Sequence, residues 1–193
     1  MLAPEHTGTG PAEDAFDAIT WILGNAEALN VDPGRIAVMG DSGGDGVAAG
    51  AAILAREKGI ALAKQILIYP MLDDRNVTPD PAIAPYVGWN WDSNWTCWHA
   101  LLGDSIGADG VSAIAAPGRL TDFRDLPQTY IEVGELDIFR DESMRYAQGL
   151  YHAGISCELS ILAGVAHGHD RMSVEIEVAR SSLANRGRIL GSL

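Results

Sequence analysis

One short segment restricts the fold of this chain more than any other: Gly40-Asp41-Ser42-Gly43-Gly44, set between an apolar run and a helix-forming run. Residues 35–39 (RIAVM) read as a short strand, and about 43–58 read as a helix that Gly59 ends. The pentapeptide fits G-x-S-x-G. On a tight strand-to-helix turn, a serine is held above the end of a sheet with its hydroxyl exposed. Small residues at 40 and 44 let strand and helix approach closely, and the Gly43 N–H at the helix N-terminus faces a developing oxyanion. A simpler reading is a glycine-rich turn capped by Ser42, with no chemistry. A sharper rival is Gly44-Asp45-Gly46-Val47-Ala48-Ala49, which fits the G-x-G-x-x-A dinucleotide fingerprint. Three features oppose it: the glycines start after the helix does, the next strand (ILIYP) ends without an acid, and Asp41 and Asp45 would repel a pyrophosphate.

The rest of the chain alternates helix and strand, which predicts an α/β fold with a parallel sheet. A first helix starts near Pro11, with Glu13 and Asp14 in its first turn. Ala12, Ala15, Phe16, Ile19, Ile22 and Leu23 form its apolar face. Asp32-Pro33-Gly34 is a turn. Further strands are expected at 66–69, 129–133 and 157–162. Further helices are expected at 92–102 with Asp92 as N-cap, at 141–152 ended by Gly154, and at about 172–189. Residues 70–90 and the stretch before Pro127 read as irregular. The runs at 35–39, 66–69 and 129–133 are nearly continuous in apolar residues, as in strands covered on both faces. About four parallel strands with helices on both faces are therefore expected, joined by right-handed crossovers.

Charge narrows the partners. With 13 Lys and Arg against 26 Asp and Glu, the net charge of −13 repels nucleic acid and anionic membrane surfaces. The 47% apolar and 20% charged composition is that of a globular domain. Cys97 and Cys157 are too few for a disulfide framework and read as free thiols in a reducing compartment. No apolar run approaches the roughly 18 residues of a membrane span. The first ten residues, MLAPEHTGTG, lack the basic and apolar regions of a secretory signal, so a cytoplasmic location is expected.

A serine nucleophile needs a base, and the base needs an orienting acid. Both belong just beyond later strand ends, in the order Ser, acid, His. The third strand runs into Gly134-Glu135-Leu136-Asp137, which places Asp137 to accept from an imidazole. Glu135, Asp141 and Glu142 compete, but fit a solvated surface or a helix start better. After the fourth strand come His167, Gly168, His169 and Asp170. His167 is favoured as base over His169 because it lies nearer the strand end; His6, His99 and His152 have no such placement. His167, His169 and Asp170 lack the third and fourth partners of a metal site, so no metal is expected. Trp91, Trp95 and Trp98 follow helical spacing and read first as one core-facing stripe. With Trp89 they read alternatively as a wall of the acyl or alcohol pocket, or as an association surface.

In combination these segments resemble the hormone-sensitive-lipase-like branch of the α/β-hydrolase superfamily, the bacterial esterases with a GDSAGG nucleophile motif. The matching pieces are LAPEH (2–6), EDAFDAITWI (13–22), RIAVMGDSGGDGVAAGAAILARE (35–57), ILIYPMLD (66–73), LPQTYIEVGELDIFRDES (126–143) and AHGHD (166–170). The resemblance implies a carboxylic-ester hydrolase acting on short acyl esters without a cofactor. Ser42 would be the nucleophile, Asp137 the orienting acid, His167 the base, and Gly43 an oxyanion donor. In that family LAPEH follows a cap segment, several strands and an HGGG loop. The chain is thus expected to be a single partial domain over 1–193, the C-terminal part of a truncated α/β-hydrolase fold. An oxyanion hole reduced to the Gly43 N–H predicts slow turnover, since losing one donor costs about 10²–10³ in kcat. The chain also carries Gly43 where the family has Ala, Asp45 where it has Gly, and His169 where it has Phe. Asp45 would place negative charge near the oxyanion. A bare apolar edge at 35–39 predicts self-association by edge pairing. The alternative to an enzyme is a catalytically impaired scaffold that binds or assembles.

Overall fold

The computed structural model describes residues 2–193. Its frame is a four-stranded parallel sheet in the order β1-β2-β3-β4, with β1 at Ala37–Asp41, β2 at Lys64–Ile68, β3 at Thr129–Gly134 and β4 at Cys157–Leu162. The register runs through Gly40↔Leu67, Leu67↔Ile131 and Ile131↔Leu159. Because every pair is parallel, all four C-terminal strand ends open on one side, where α/β sheets bind ligands.

Helices α1 (Gly10–Gly24) and α2 (Ala26–Leu29) precede the sheet; α3 (Gly43–Glu57), α4 (Trp91–Leu102), α5 (Arg140–His152), α6 (His169–Met172) and α7 (Glu177–Leu190) follow its strands. Helix α3 is an alanine-rich element buried on nearly all sides from Ala48 to Ala55. A helix apolar all round must be covered on both flanks, and α3 lies between α1 and strands β1 and β2. On this face of the sheet, Ala49 and Ile53 meet Leu67, Ile131, and Tyr146 and Leu150 of α5. A second core joins Ile66, Ile68 and Tyr130 to Trp91 and Trp98 of α4 and Ile189 of α7. The sheet therefore has helices on both faces.

Several expectations shift. β1 starts two residues later than read, because Pro33–Arg35 form a 3-10 turn in which Asp32 accepts from the Gly34 N–H at 2.8 Å. β1 is an edge strand, and Met39 is 46% exposed, so coverage on both faces fails for this strand. α4 is capped by Asn90, whose side chain accepts from the Ser93 N–H at 2.9 Å, not by Asp92. Trp91 and Trp98 are buried while Trp95 is exposed and stacks on His99. At 100° per residue, Trp95 stands roughly 60° around the helix from Trp98, which is enough to leave the core. The expected single last helix is two, separated by an extended segment at Ser173 and Ile176.

Candidate active site

Ser42 follows β1 directly, with φ 56° and ψ −122°. An unusual backbone of this kind costs about 1–3 kcal/mol and persists only where the surroundings impose it. Here the Ser42 N–H donates to the Ile68 carbonyl at 3.0 Å, and the Ser42 carbonyl accepts from Met71 at 3.2 Å and Asp45 at 3.1 Å. The turn also depends on Gly40, where a Cβ would sit 2.4 Å from the Gly44 carbonyl oxygen. Gly44 is under no such constraint; a Cβ there would meet only Asp41 Oδ1, at 3.9 Å. Gly43 opens α3, as the strand-turn-helix reading required. The glycines of the rival fingerprint lie inside α3, where they cannot wrap a pyrophosphate.

The loop after strand β3 carries Asp137, and the loop after β4 carries His167. The two loops are pinned together. Leu136 N–H donates to the Val165 carbonyl at 2.9 Å, and Gly164 N–H donates to Glu135 Oε2 at 2.7 Å. Gly134 permits this approach, since a Cβ there would lie 2.2 Å from the Val165 oxygen. His167 Nε2 lies 3.0 Å from Ser42 Oγ, and its Nδ1 lies 2.8 Å from Asp137 Oδ2. The Asp137 carboxylate is fully buried, and its other oxygen accepts from the Phe139 N–H at 2.9 Å. A carboxylate only accepts, so Nδ1 carries the proton and Nε2 is left to accept from the serine hydroxyl.

Three rings enclose the imidazole: Tyr69 edge-on at 4.7 Å, Phe139 edge-on at 5.1 Å and Trp89 at 6.1 Å. None of the three was singled out as a partner of His167. The sequence offers Trp89 a pocket wall or an association surface as alternatives to core packing, and shows Tyr69 only as the end of an apolar strand. Its φ of 46° turns the chain there.

The competing residues lie elsewhere. Glu135 braces the two strand ends, and Asp141 pairs with Arg140. Glu142 is buried and accepts from the Leu72 and Asp73 N–H groups and from Asn76. Burial pushes its pKa up to about 8. His169 is buried against Ser182 at 3.0 Å, and burial lowers its pKa. Asp45 is wholly buried, and neither of its oxygens makes a well-formed hydrogen bond, with only weak support from the Ile68 and Ser42 backbone. Burial, reinforced by the nearby Asp41 carboxylate, pushes its pKa well above the usual range. Burial thus opposes the negative charge expected near the oxyanion.

An apolar cavity of about 380 Å³ starts at Gly43 and Gly44 and runs past Val47, Met71, Trp98 and Leu101. Among the described residues, no group of three or more His, Cys, Asp and Glu is placed to hold a metal ion. Among them, no helix is long and apolar enough to cross a membrane.

Comparison with known proteins adds independent information. Residues 1–170 match the family described as alpha/beta hydrolase fold. Esterase LipI of Mycobacterium tuberculosis (strain ATCC 25618 / H37Rv) is 33% identical over 192 residues, covering 97% of this chain and 59% of that protein. Carboxylesterase NlhH of the same strain is 33% identical over 196 residues, covering 100% of this chain and 60% of that protein. The solved structure of a bacterial heroin esterase superposes with a TM-score of 0.88 at 38% identity, over 96% of this chain and 60% of that one. The chain thus spans about three fifths of the length of the relatives it matches.

Proposed function

From the premise that this chain belongs to the α/β-hydrolase-fold family, in its hormone-sensitive-lipase-like branch, we propose that it hydrolyses carboxylic esters through Ser42. The observation that carries the proposal is the unbroken chain from Ser42 Oγ through both nitrogens of His167 to buried Asp137.

His167 Nε2 takes the serine proton as Oγ bonds to the ester carbonyl carbon. The resulting oxyanion accepts from the Gly43 N–H at the head of α3. Asp137 stabilises the imidazolium and holds its tautomer. Collapse of the tetrahedral intermediate expels the alcohol, which takes the proton from Nε2, and leaves the acyl group on Ser42. Water, deprotonated by the same nitrogen, then releases the acid and restores the serine. The aromatic enclosure holds the imidazole in place beside Ser42. The cavity at Gly43 receives the acyl group; its 380 Å³ lies at the lower end of ligand-pocket volumes, which suits short acyl chains.

The test is hydrolysis of a short p-nitrophenyl ester by the protein and by Ser42→Ala. Activity lost in the variant supports the reading; equal rates overturn it.

In the same reading the 193 residues act as one domain, and a second copy pairs on the β1 edge, where Met39 is exposed. Edge strands with unpaired backbone groups favour such pairing. This observation also favours the alternative reading, a catalytically impaired scaffold that assembles. Sedimentation giving a monomer at micromolar concentration would remove it.

A further inference from the structure

Beneath the imidazole lies a cluster of charges that the ester chemistry leaves unused. Arg186 of α7 is nearly buried. Its Nη2 and Nε donate to Glu132 Oε1 at 2.5 and 3.2 Å, and its Nη1 donates to Asp170 Oδ2 at 2.5 Å. Glu132, on β3, is fixed in turn by the Tyr130 hydroxyl at 2.8 Å, and Asn185 donates to that hydroxyl at 2.8 Å. The other oxygen of Asp170 accepts from the Tyr69 hydroxyl at 3.1 Å. Tyr69 presents its ring edge to His167 at 4.7 Å, with the Arg186 guanidinium 5.9 Å from the same ring.

We propose that Arg186 is a positioning residue for the base: it clasps Asp170, three residues beyond His167, to the rigid strand β3, and through Tyr69 sets the angle of the imidazole. The inference rests on the hydrolase reading of Ser42 and His167.

The physical case has three parts. A guanidinium spans two carboxylates at fixed angles, which a flexible ammonium does not. Burial makes the geometry matter, because a charge removed from water holds its place only while its partners are aligned. Burial opposes the Asp170 anion, yet the Arg186 contact and the Tyr69 hydroxyl outweigh it, and its pKa lies below the usual carboxylate range. The Tyr69 hydroxyl, buried against this anion, is pushed up to about 12 and so remains a donor. The loop holding His167 and Gly168 has no regular secondary structure of its own until α6 begins at His169. It takes its orientation from these side chains and from the Val165 contact.

The test is turnover per competent serine. Active serines are counted by burst titration with a p-nitrophenyl ester, and kcat and KM are then measured for Asp170→Ala, Arg186→Lys, Arg186→Met and Tyr69→Phe, with Ser42→Ala as control. A displaced base costs turnover without costing binding. Asp170→Ala should lower kcat per titrated serine about tenfold with KM within about twofold. Arg186→Lys should recover part of the loss seen in Arg186→Met. Tyr69→Phe, which keeps the ring and loses only the hydroxyl, should lower kcat by about threefold even if the charge variants fold poorly. A merely structural role would reduce the number of titratable serines and the melting temperature while leaving kcat per serine unchanged; that outcome overturns the clasp. Activity retained in Ser42→Ala would overturn the hydrolase reading and the clasp with it. Loss in Ser42→Ala with kcat intact in both Asp170→Ala and Tyr69→Phe overturns the clasp alone.

Discussion

The two sides of the site are built differently. On the β3–β4 side, His167 is bonded at both nitrogens and enclosed by three rings, and Asp137 uses both oxygens. On the β1–α3 side, Ser42 sits on a strained turn, Asp45 makes no well-formed hydrogen bond on either oxygen, and Met39 faces outward from an edge strand. The His167–Asp137 pair is held by many mutually supporting contacts; the turn that carries Ser42 is held by backbone fit. Substitutions on the first side should therefore act on chemistry, and those on the second, Ser42 itself excepted, on stability.

The sharpest test of that contrast is Asp137→Asn. The geometry around the imidazole survives, but the wrong nitrogen keeps the proton. The expected loss is about 10³–10⁴ in kcat with little change in KM or melting temperature. Steady-state kinetics beside Glu135→Gln, which should stay close to the parent, reads the difference. Next comes Gly40→Ala. Its Cβ would meet the Gly44 carbonyl oxygen at 2.4 Å, backbone against backbone, and the strand and helix must part. Urea unfolding should show a loss of about 3 kcal/mol; a neutral result would mean that the turn is looser than its geometry implies.

A third prediction concerns pH. Glu142 ionises near 8 when folded, against an ordinary value of 4.5, so the fold binds a proton that the unfolded chain releases. That stabilisation is complete below about pH 4.5 and is lost as pH rises to about 8, on the order of 5 kcal/mol. Thermal unfolding midpoints should fall over this range, and Glu142→Gln should flatten the slope. The smallest effect is expected from Asp45→Ala. It removes a buried carboxyl with unmet hydrogen-bonding needs and should stabilise the protein by about 1 kcal/mol near pH 8. Destabilisation in a denaturant titration would show that the carboxyl packs better than its lack of partners suggests.

This division also explains what the sequence made legible. Ser42, Asp137 and His167 could be found because each follows a strand end, and strand ends are visible as apolar runs closed by turn residues. Gly40 could be anticipated from the same turn. The clasp could not: Arg186 and Asp170 are 16 residues apart, and Arg186 and Glu132 are 54 apart, with no local pattern linking them. Tyr69 was hidden because an aromatic residue at the end of a buried strand reads as core. The boundary of β1 was displaced because RIAVM is apolar throughout, and the turn at Pro33–Arg35 consumes its first residue. The break before α7 was missed because SVEIEV carries helix formers beside the β-branched residues that favour the extended form found there.

The central claim is that Ser42 forms the covalent intermediate. Rapid acid quench after mixing with a short p-nitrophenyl ester, followed by peptide mass spectrometry, tests it directly. The account predicts one acyl group on the peptide carrying Ser42, accumulating in His167→Ala no faster than background and absent in Ser42→Ala. An acyl group on another residue, or a parent enzyme that turns over while Ser42 stays unmodified at every quench time, would contradict it.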